Sequence, residues 1–412
     1  MKSATLRLVL LVSCCHAMVH VYELSFASVE QLVGTDFGVG TDVTGWLGTC
    51  LRLPFGLCAI LAGWLADRFG AKRLLLVYLV GASGAALMAW WTPNLGLLFL
   101  AMFSLGVFAS VYHPAGVGLI SHETTAENRP MALGYHGIFG SAGIAAGPFL
   151  AALVLATGAS WRQYYLVLAV PGVLLAVLLA MRLSHEHGNS AASHPNNSPT
   201  REEAPARWDC YALLMFSAML SGFVYAAVLT FLPRYLGGSG LDLGGILDRF
   251  LHLAGLGGRT ISPVSVGNFL TGIVLMLGIF GQYTSGRIAR PATLEPLMAF
   301  AFFATAPCLL WMGFAGGLSR VLAAALFAPF FFMHQPLFNS LVAKYVPRRR
   351  RSLAYGLSFT VGFGVGSTGS AFAGGTESNL ATYGTLSALT FLVGCLCLLL
   401  WHRSRRRLGS GL

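Results

Sequence analysis

Runs of apolar residues recur along the whole chain, each ended by glycine, proline or a short charged cluster. A helix needs about 20 mostly apolar residues to cross a bilayer. With Gly, Pro and charge as punctuation, the pattern predicts twelve such helices, near 4–29, 44–65, 73–91, 96–121, 130–155, 161–181, 209–235, 262–282, 294–313, 318–342, 352–374 and 381–402. The first run, "MKSATLRLVLLVSCCHAMVHVYEL", starts weakly basic, as a signal peptide would. It has no A-x-A-like cleavage site and continues through Phe26 to Val29, so it reads as a retained span.

Residues 182–208 break the pattern. "RLSHEHGNSAASHPNNSPTREEAPARW" is polar, rich in Ser, Pro and Asn, and has no apolar periodicity, which predicts a flexible linker. It joins six helices in 1–181 to six in 209–402, and 403–412 forms a basic tail. The halves echo each other. "YHPAGVGLISHETTAENRPMALGYHGIFGSAG" (112–143) matches "MHQPLFNSLVAKYVPRRRRSLAYGLSFTVGFG" (333–364) in layout, His113 with His334 and "RPMALG" with "RSLAYG". A parallel repeat of two six-span halves points to a transporter. The fold class expected is an all-α integral membrane protein, with twelve transmembrane helices in two pseudo-symmetric six-helix bundles.

Composition agrees: 56% of the 412 residues are hydrophobic and 10% charged, against about 25% charged in soluble domains. The net charge of +11 is gathered in short clusters at the ends of apolar runs, a topology signal rather than a nucleic-acid footprint. Twenty basic residues fall on one side, in the N-terminus, the 68–73 cluster, Arg129, the linker, Arg287 and Arg290, Lys344 with Arg348 to Arg351, and the tail. Five (Arg162, Arg234, Arg249, Arg259 and Arg320) fall on the other. Both termini and the linker are therefore expected in the cytoplasm, in a bacterial inner membrane. The longest outer loop, 236–261, holds "LGGILDRFLHLAG", a candidate surface helix. The eight cysteines lie in or beside apolar runs with no CxxC pair, indicating neither a disulfide framework nor a zinc site.

Between the second and third helices stands "GWLADRFGAKR", residues 63–73. A positive anchor explains Arg68, Lys72 and Arg73 but not Gly63, Asp67 and Gly70 at their spacing. The stretch resembles the G-x-L-A-D-R-x-G-R-K-x signature of the major facilitator superfamily, with Ala71 in place of the usual Arg. That resemblance covers essentially the whole chain. It implies two bundles rocking about a central cavity, with Gly63, Asp67, Arg68, Gly70, Lys72 and Arg73 latching the outward-facing state. The corresponding turn, "GQYTSGRIAR" (281–290), has Ser285 where Asp67 would fall, so the latch is expected to be asymmetric. In the fifth helix, "GYHGIFGSAGIAAGP" supplies Gly134, Gly143, Gly147 and Pro148 and resembles the antiporter motif of the export branch. Ala151 and Leu155 replace its last two glycines, and close helix packing by small residues without an antiport role remains an alternative. "SCCHAMVHVYEL" with "GVFASVYHPAG" somewhat resembles the fosmidomycin resistance branch, although Val19 and His20 stand where that branch has Asn-Asp.

Ionisable groups inside spans are costly and are functional candidates by default. His16, His20, Glu23, Arg52, His113, His136, His334 and Asn339 form the candidate substrate and proton site, with Asn268 and Gln335 as neutral companions. His16, His20 and Glu23 follow i, i+4, i+7 and share one helix face. His136 and His334 are equally readable as packing histidines, and Arg52 as a structural partner of Glu23 rather than an anion binder. Glu23 is expected to carry the transported proton with His20 or His16, because histidine titrates near neutral pH. Arg52, brought close, would favour the charged carboxylate. The rival reading makes His16, His20 and Glu23 metal ligands. No P-loop and no nucleophile–base set is present, so neither an enzyme nor direct ATP drive is indicated. The leading reading is a monomeric, proton-coupled exporter of a small organic compound or drug, needing no cofactor and binding no nucleic acid. A transporter of a metal ion or metal complex, and a non-transporting membrane sensor or scaffold, stay open.

Overall fold

The computed structural model describes residues 3–125, 128–186, 206–253, 255–258, 260–347 and 350–406. Lys2, residues 187–205 of the predicted linker, Arg348, Arg349, Arg259 and residues 407–412 of the tail lie outside the described residues. Among the described residues every regular element is helical. Ten helices are long and apolar enough to cross a membrane. Span one is Ser3–Phe37, span three Ala71–Trp91, span four Leu95–Glu123, span five Met131–Ala156 and span six Trp161–Met181. Span seven is Trp208–Gly237, span eight Pro263–Ile288, span nine Leu294–Phe314, span ten Leu318–Tyr345 and span twelve Asn379–Arg405. Span two is a bent pair, Thr41–Leu57 and Ala59–Phe69, meeting at 44°. Span eleven is interrupted: helix Arg351–Phe359 passes through a π turn (Thr360–Gly364) and a 3₁₀ turn (Val365–Ser367) into helix Thr368–Gly374. These interruptions leave neither with a single helix long enough to cross a membrane; together the twelve form two six-helix bundles.

The repeat is visible in the backbone. Span four breaks between Ala109 and Tyr112, and span ten between Phe332 and His334. Each break is followed within two residues by a proline, Pro114 or Pro336, which supplies no N–H to the helix ladder. Span one breaks at Leu24, beside Glu23, and continues eight residues past the predicted end at Val29. Glu30 and Gln31 ended the apolar run in sequence, but Glu30 is buried and paired, so the helix carries on to Phe37.

Each half buries its own apolar core, one built on residues such as Val12, Tyr78, Leu105 and Tyr165, the other on Leu214, Leu232, Phe302 and Phe331. The outer faces keep large apolar groups exposed, Val170, Leu174 and Leu178 of span six among them, which suits a surface solvated by lipid. Between halves, spans two and eleven meet through glycine. A Cβ on Gly56 would lie 2.1 Å from the Gly364 nitrogen, and one on Gly45 2.6 Å from the Ser370 carbonyl oxygen. Small residues allow such backbone contact without side chains between. The loop 236–261 holds the helix expected there, Gly244–Leu253, burying Leu247 and Leu251.

Candidate functional site

The break at Leu24 places Glu23 at the boundary between the halves. Its carboxylate is 2% exposed and is held from three directions. His20 Nδ1 donates to Oε2 at 2.8 Å, Tyr225 Oη of span seven donates to Oε1 at 3.0 Å, and Arg52 Nε lies 3.7 Å from Oε1. Arg52 in turn donates through Nη1 to Thr230 Oγ1 at 2.6 Å and to the Ala226 carbonyl at 3.4 Å. Thr230 and Ser370 share a hydrogen bond of 2.8 Å, which brings span eleven into the network. The Arg52 Nε and Nη2 groups are buried and have no hydrogen-bond partner among the described residues. A buried cation with two unmade donors is able to receive an acidic group on a bound molecule.

Around the other side of span one the histidines gather. His16 Nδ1 donates to the His136 carbonyl of span five at 2.7 Å, and the two rings stack at 3.8 Å. Gly140 makes room for this, since a Cβ there would sit 2.3 Å from the His16 ring. His113, at the break of span four, stands edge-on to His16 at 5.2 Å and to His20 at 5.5 Å. Six expected site residues, His16, His20, Glu23, Arg52, His113 and His136, are thereby brought together. The ligand atoms of His16, His20 and His113 lie within 4.8 Å of one another. Glu23 is not in that group, being turned to Arg52 and Tyr225.

His334 and Asn339 are not brought to the cluster. His334 packs on Phe302 and Phe331 at 5.3 and 4.9 Å and bonds the Phe331 carbonyl at 2.5 Å. Asn339 is exposed, and its carbonyl accepts from Tyr355 Oη. Asn268 instead links the halves, donating to the Ser28 carbonyl at 2.7 Å. Gln335 accepts from Gln282, which accepts from Ser141 of span five.

On the face opposite the basic turn, Arg234 of span seven grips Glu30 of span one with two bonds of 2.8 and 2.9 Å, and Thr44 donates to Glu30 at 2.5 Å. This pair closes the boundary between halves there. At the basic turn, Gly70 has φ +91°, a conformation that only glycine adopts without strain. Gly63 packs toward Pro114 of span four. Lys72 pairs with Glu123 at 3.0 Å, Arg68 lies over Trp64, and Arg73 is exposed. Asp67 is exposed and makes no hydrogen bond or ion pair among the described residues. In span five, a Cβ on Gly143 would lie 2.3 Å from the Ala17 carbonyl, so spans one and five touch backbone to backbone. Gly147 makes ordinary contact with Val21 and Leu24, Gly134 faces open space, and Pro148 lies inside the helix.

Four contributors were not singled out in the sequence. Glu30 follows Glu23 by seven residues and continues the His16, His20, Glu23 face, a signal that was present but ran past the predicted end of the span. Arg234 was counted only as an outer-side charge, although it stands within a long apolar helix. Tyr225 and Thr230 carry no charge and look like any other residues of that helix.

The sequence profile of the Major Facilitator Superfamily matches residues 9–371. The puromycin resistance protein pur8 of Streptomyces alboniger is 34% identical over 159 residues, which are 38% of this chain and 30% of that protein. This chain thus spans less than a third of pur8. The probable sulfoacetate transporter SauU of Cupriavidus necator is 23% identical over 309 residues, 68% of this chain and 71% of that protein. Among solved structures, a peptide transporter POT in complex with sulfate superposes with a TM-score of 0.75 at 14% identity, covering 97% of this chain and 95% of that one. At that identity the likeness concerns the fold.

Proposed function

This chain belongs to the Major Facilitator Superfamily, and on that footing we propose that it is a proton-coupled secondary transporter exporting a small organic compound by alternating access. The observation that carries the reading is the grip on Glu23 from both halves: His20 and Arg52 from the first, Tyr225 from the second. A proton on Glu23 abolishes the ion pair with Arg52 and removes an acceptor from its donors. Protonation therefore weakens the closure of the halves on this carboxylate, and that difference between states is the thermodynamic requirement for linking proton uptake to a change of state.

Arg52 Nη2, without a hydrogen-bond partner among the described residues, is the substrate contact in this account, which favours compounds bearing an acidic group. The Glu30–Arg234 pair holds the face opposite the basic turn shut, and Asp67, which has no partner among the described residues, is free to act in the alternate state, in which the turn latches. The name of pur8 supports export of an antibiotic-like compound, and that of SauU supports a small sulfonate. The protein works as a monomer in a bacterial inner membrane, with residues 182–208 tethering the halves. Both termini face the cytoplasm, supported by the twenty-to-five basic bias.

Proteoliposomes loaded with a pH-sensitive dye and challenged with antibiotics and organic sulfonates test this. At least one compound is expected to move against a proton flow that collapses when the pH gradient is removed. A protein that moves no solute and leaves the gradient intact would be a sensor or scaffold with this fold.

A further inference from the structure

We propose that His16, His20 and His113 form a binding site for a divalent first-row transition-metal ion, three imidazole nitrogens leaving one coordination position open. Their ligand atoms already lie within 4.8 Å of one another. Tetrahedral coordination at about 2.0–2.1 Å puts nitrogens about 3.3 Å apart, so the three rings draw closer together around a bound ion.

The hydrogen bonds behind the rings are those such a site requires. A ligating histidine donates its other ring N–H to a carbonyl or a carboxylate, which fixes its tautomer and aims the free lone pair. His16 does this through Nδ1 to the His136 carbonyl, and His20 through Nδ1 to Glu23 Oε2. Both Nε2 atoms are thereby left as acceptors. His113 Nε2 is buried with no hydrogen-bond partner among the described residues, and a buried polar atom of that kind calls for a ligand.

The walls are aromatic. Tyr112 stacks on His16 at 5.1 Å, and Phe55 and Phe359 pack on His113 at 5.9 and 4.7 Å. They limit water around a bound ion, and imidazole donors select Zn²⁺, Co²⁺, Ni²⁺ or Cu²⁺ over Mg²⁺ or Ca²⁺. Glu23 stands behind His20 rather than on the ion, so its charge serves to orient a ligand. One hydrogen bond, His20 to Glu23, then joins metal site and proton site. The inference stands apart from the export reading, because it concerns binding and is measured without transport.

The test uses full-length protein in detergent, with the linker histidines His185, His187 and His194 changed to alanine so that they do not compete. Co²⁺ is titrated and the visible ligand-field bands are read. One Co²⁺ per chain with the intense bands of tetrahedral coordination is expected, displaced by Zn²⁺ and not by Mg²⁺. His20→Gln and His113→Asn, checked for a monodisperse elution profile, are each expected to weaken binding about a hundredfold, while His334→Ala leaves it unchanged. Absence of tetrahedral bands up to about 1 mM Co²⁺ would overturn the proposal, as would binding that survives intact in both folded histidine variants.

Discussion

His113 and His334 occupy matching places in the two halves, each at the start of the second segment of a broken span. One stands among His16, His20 and Phe359; the other sits against Phe302 and Phe331 with its Nδ1 spent on a carbonyl. The repeat thus preserves where the backbone bends, while the neighbours decide what the histidine at the bend is able to do. The same split runs through the matching first helices. Span one brings His16, His20, Glu23 and Glu30, groups that change or carry charge. Span seven answers with Tyr225 and Thr230, neutral hydrogen-bonders, and with Arg234 at its far end. On the proposed reading, charge that changes on one side and fixed donors on the other are what would make the contact between halves sensitive to a proton.

If packing is shared by the halves and chemistry is not, substitutions should separate the two. The largest effect is expected at the glycine contacts, equally in both halves. Gly143→Leu would drive a side chain into the Ala17 carbonyl of span one, and Gly281→Leu would do so at the Pro329 carbonyl of span ten. Backbone cannot yield as a side chain does, so each should cost about 3 kcal/mol or more and sharply lower the yield of monodisperse protein. A Gly281→Leu protein as stable as wild type would show that only the first half depends on such contact.

A smaller and one-sided effect is expected at the turns. Asp67→Asn should slow transport about tenfold with unchanged expression and melting temperature, because Asp67 has no partner to lose in the present state and works in the other. Ser285→Ala, which removes only a bond to the Gln282 carbonyl, should stay within twofold. Equal losses at both turns would make the latch symmetric and weaken the contrast between halves.

Much of this was legible in the sequence because lipid imposes strong rules. Apolar length locates spans, Gly and Pro mark breaks, and the matched "YHPAG" and "MHQPL" stretches announce the repeat. The face formed by His16, His20 and Glu23 was legible too, since helical spacing alone aligns them. What stayed hidden depends on contacts between distant segments. The end of span one was misplaced because the partners that let Glu30 be buried, Arg234 and Thr44, lie elsewhere in the chain. Spacing likewise could not tell that His113 joins the histidines while His334, its repeat equivalent, does not. Tyr225 could not be distinguished from other aromatics before Glu23 was placed against it.

The central claim, that Glu23 is where a proton is exchanged for contact between the halves, is tested most directly by comparing wild type and Glu23→Gln in proteoliposomes. Both solute-driven proton flux and pH-independent exchange of labelled solute are measured. Glutamine keeps the size and one acceptor but cannot ionise. The account predicts that Glu23→Gln loses pH-driven transport by at least about a hundredfold while still exchanging solute across the membrane. Full pH-driven transport in Glu23→Gln would contradict it.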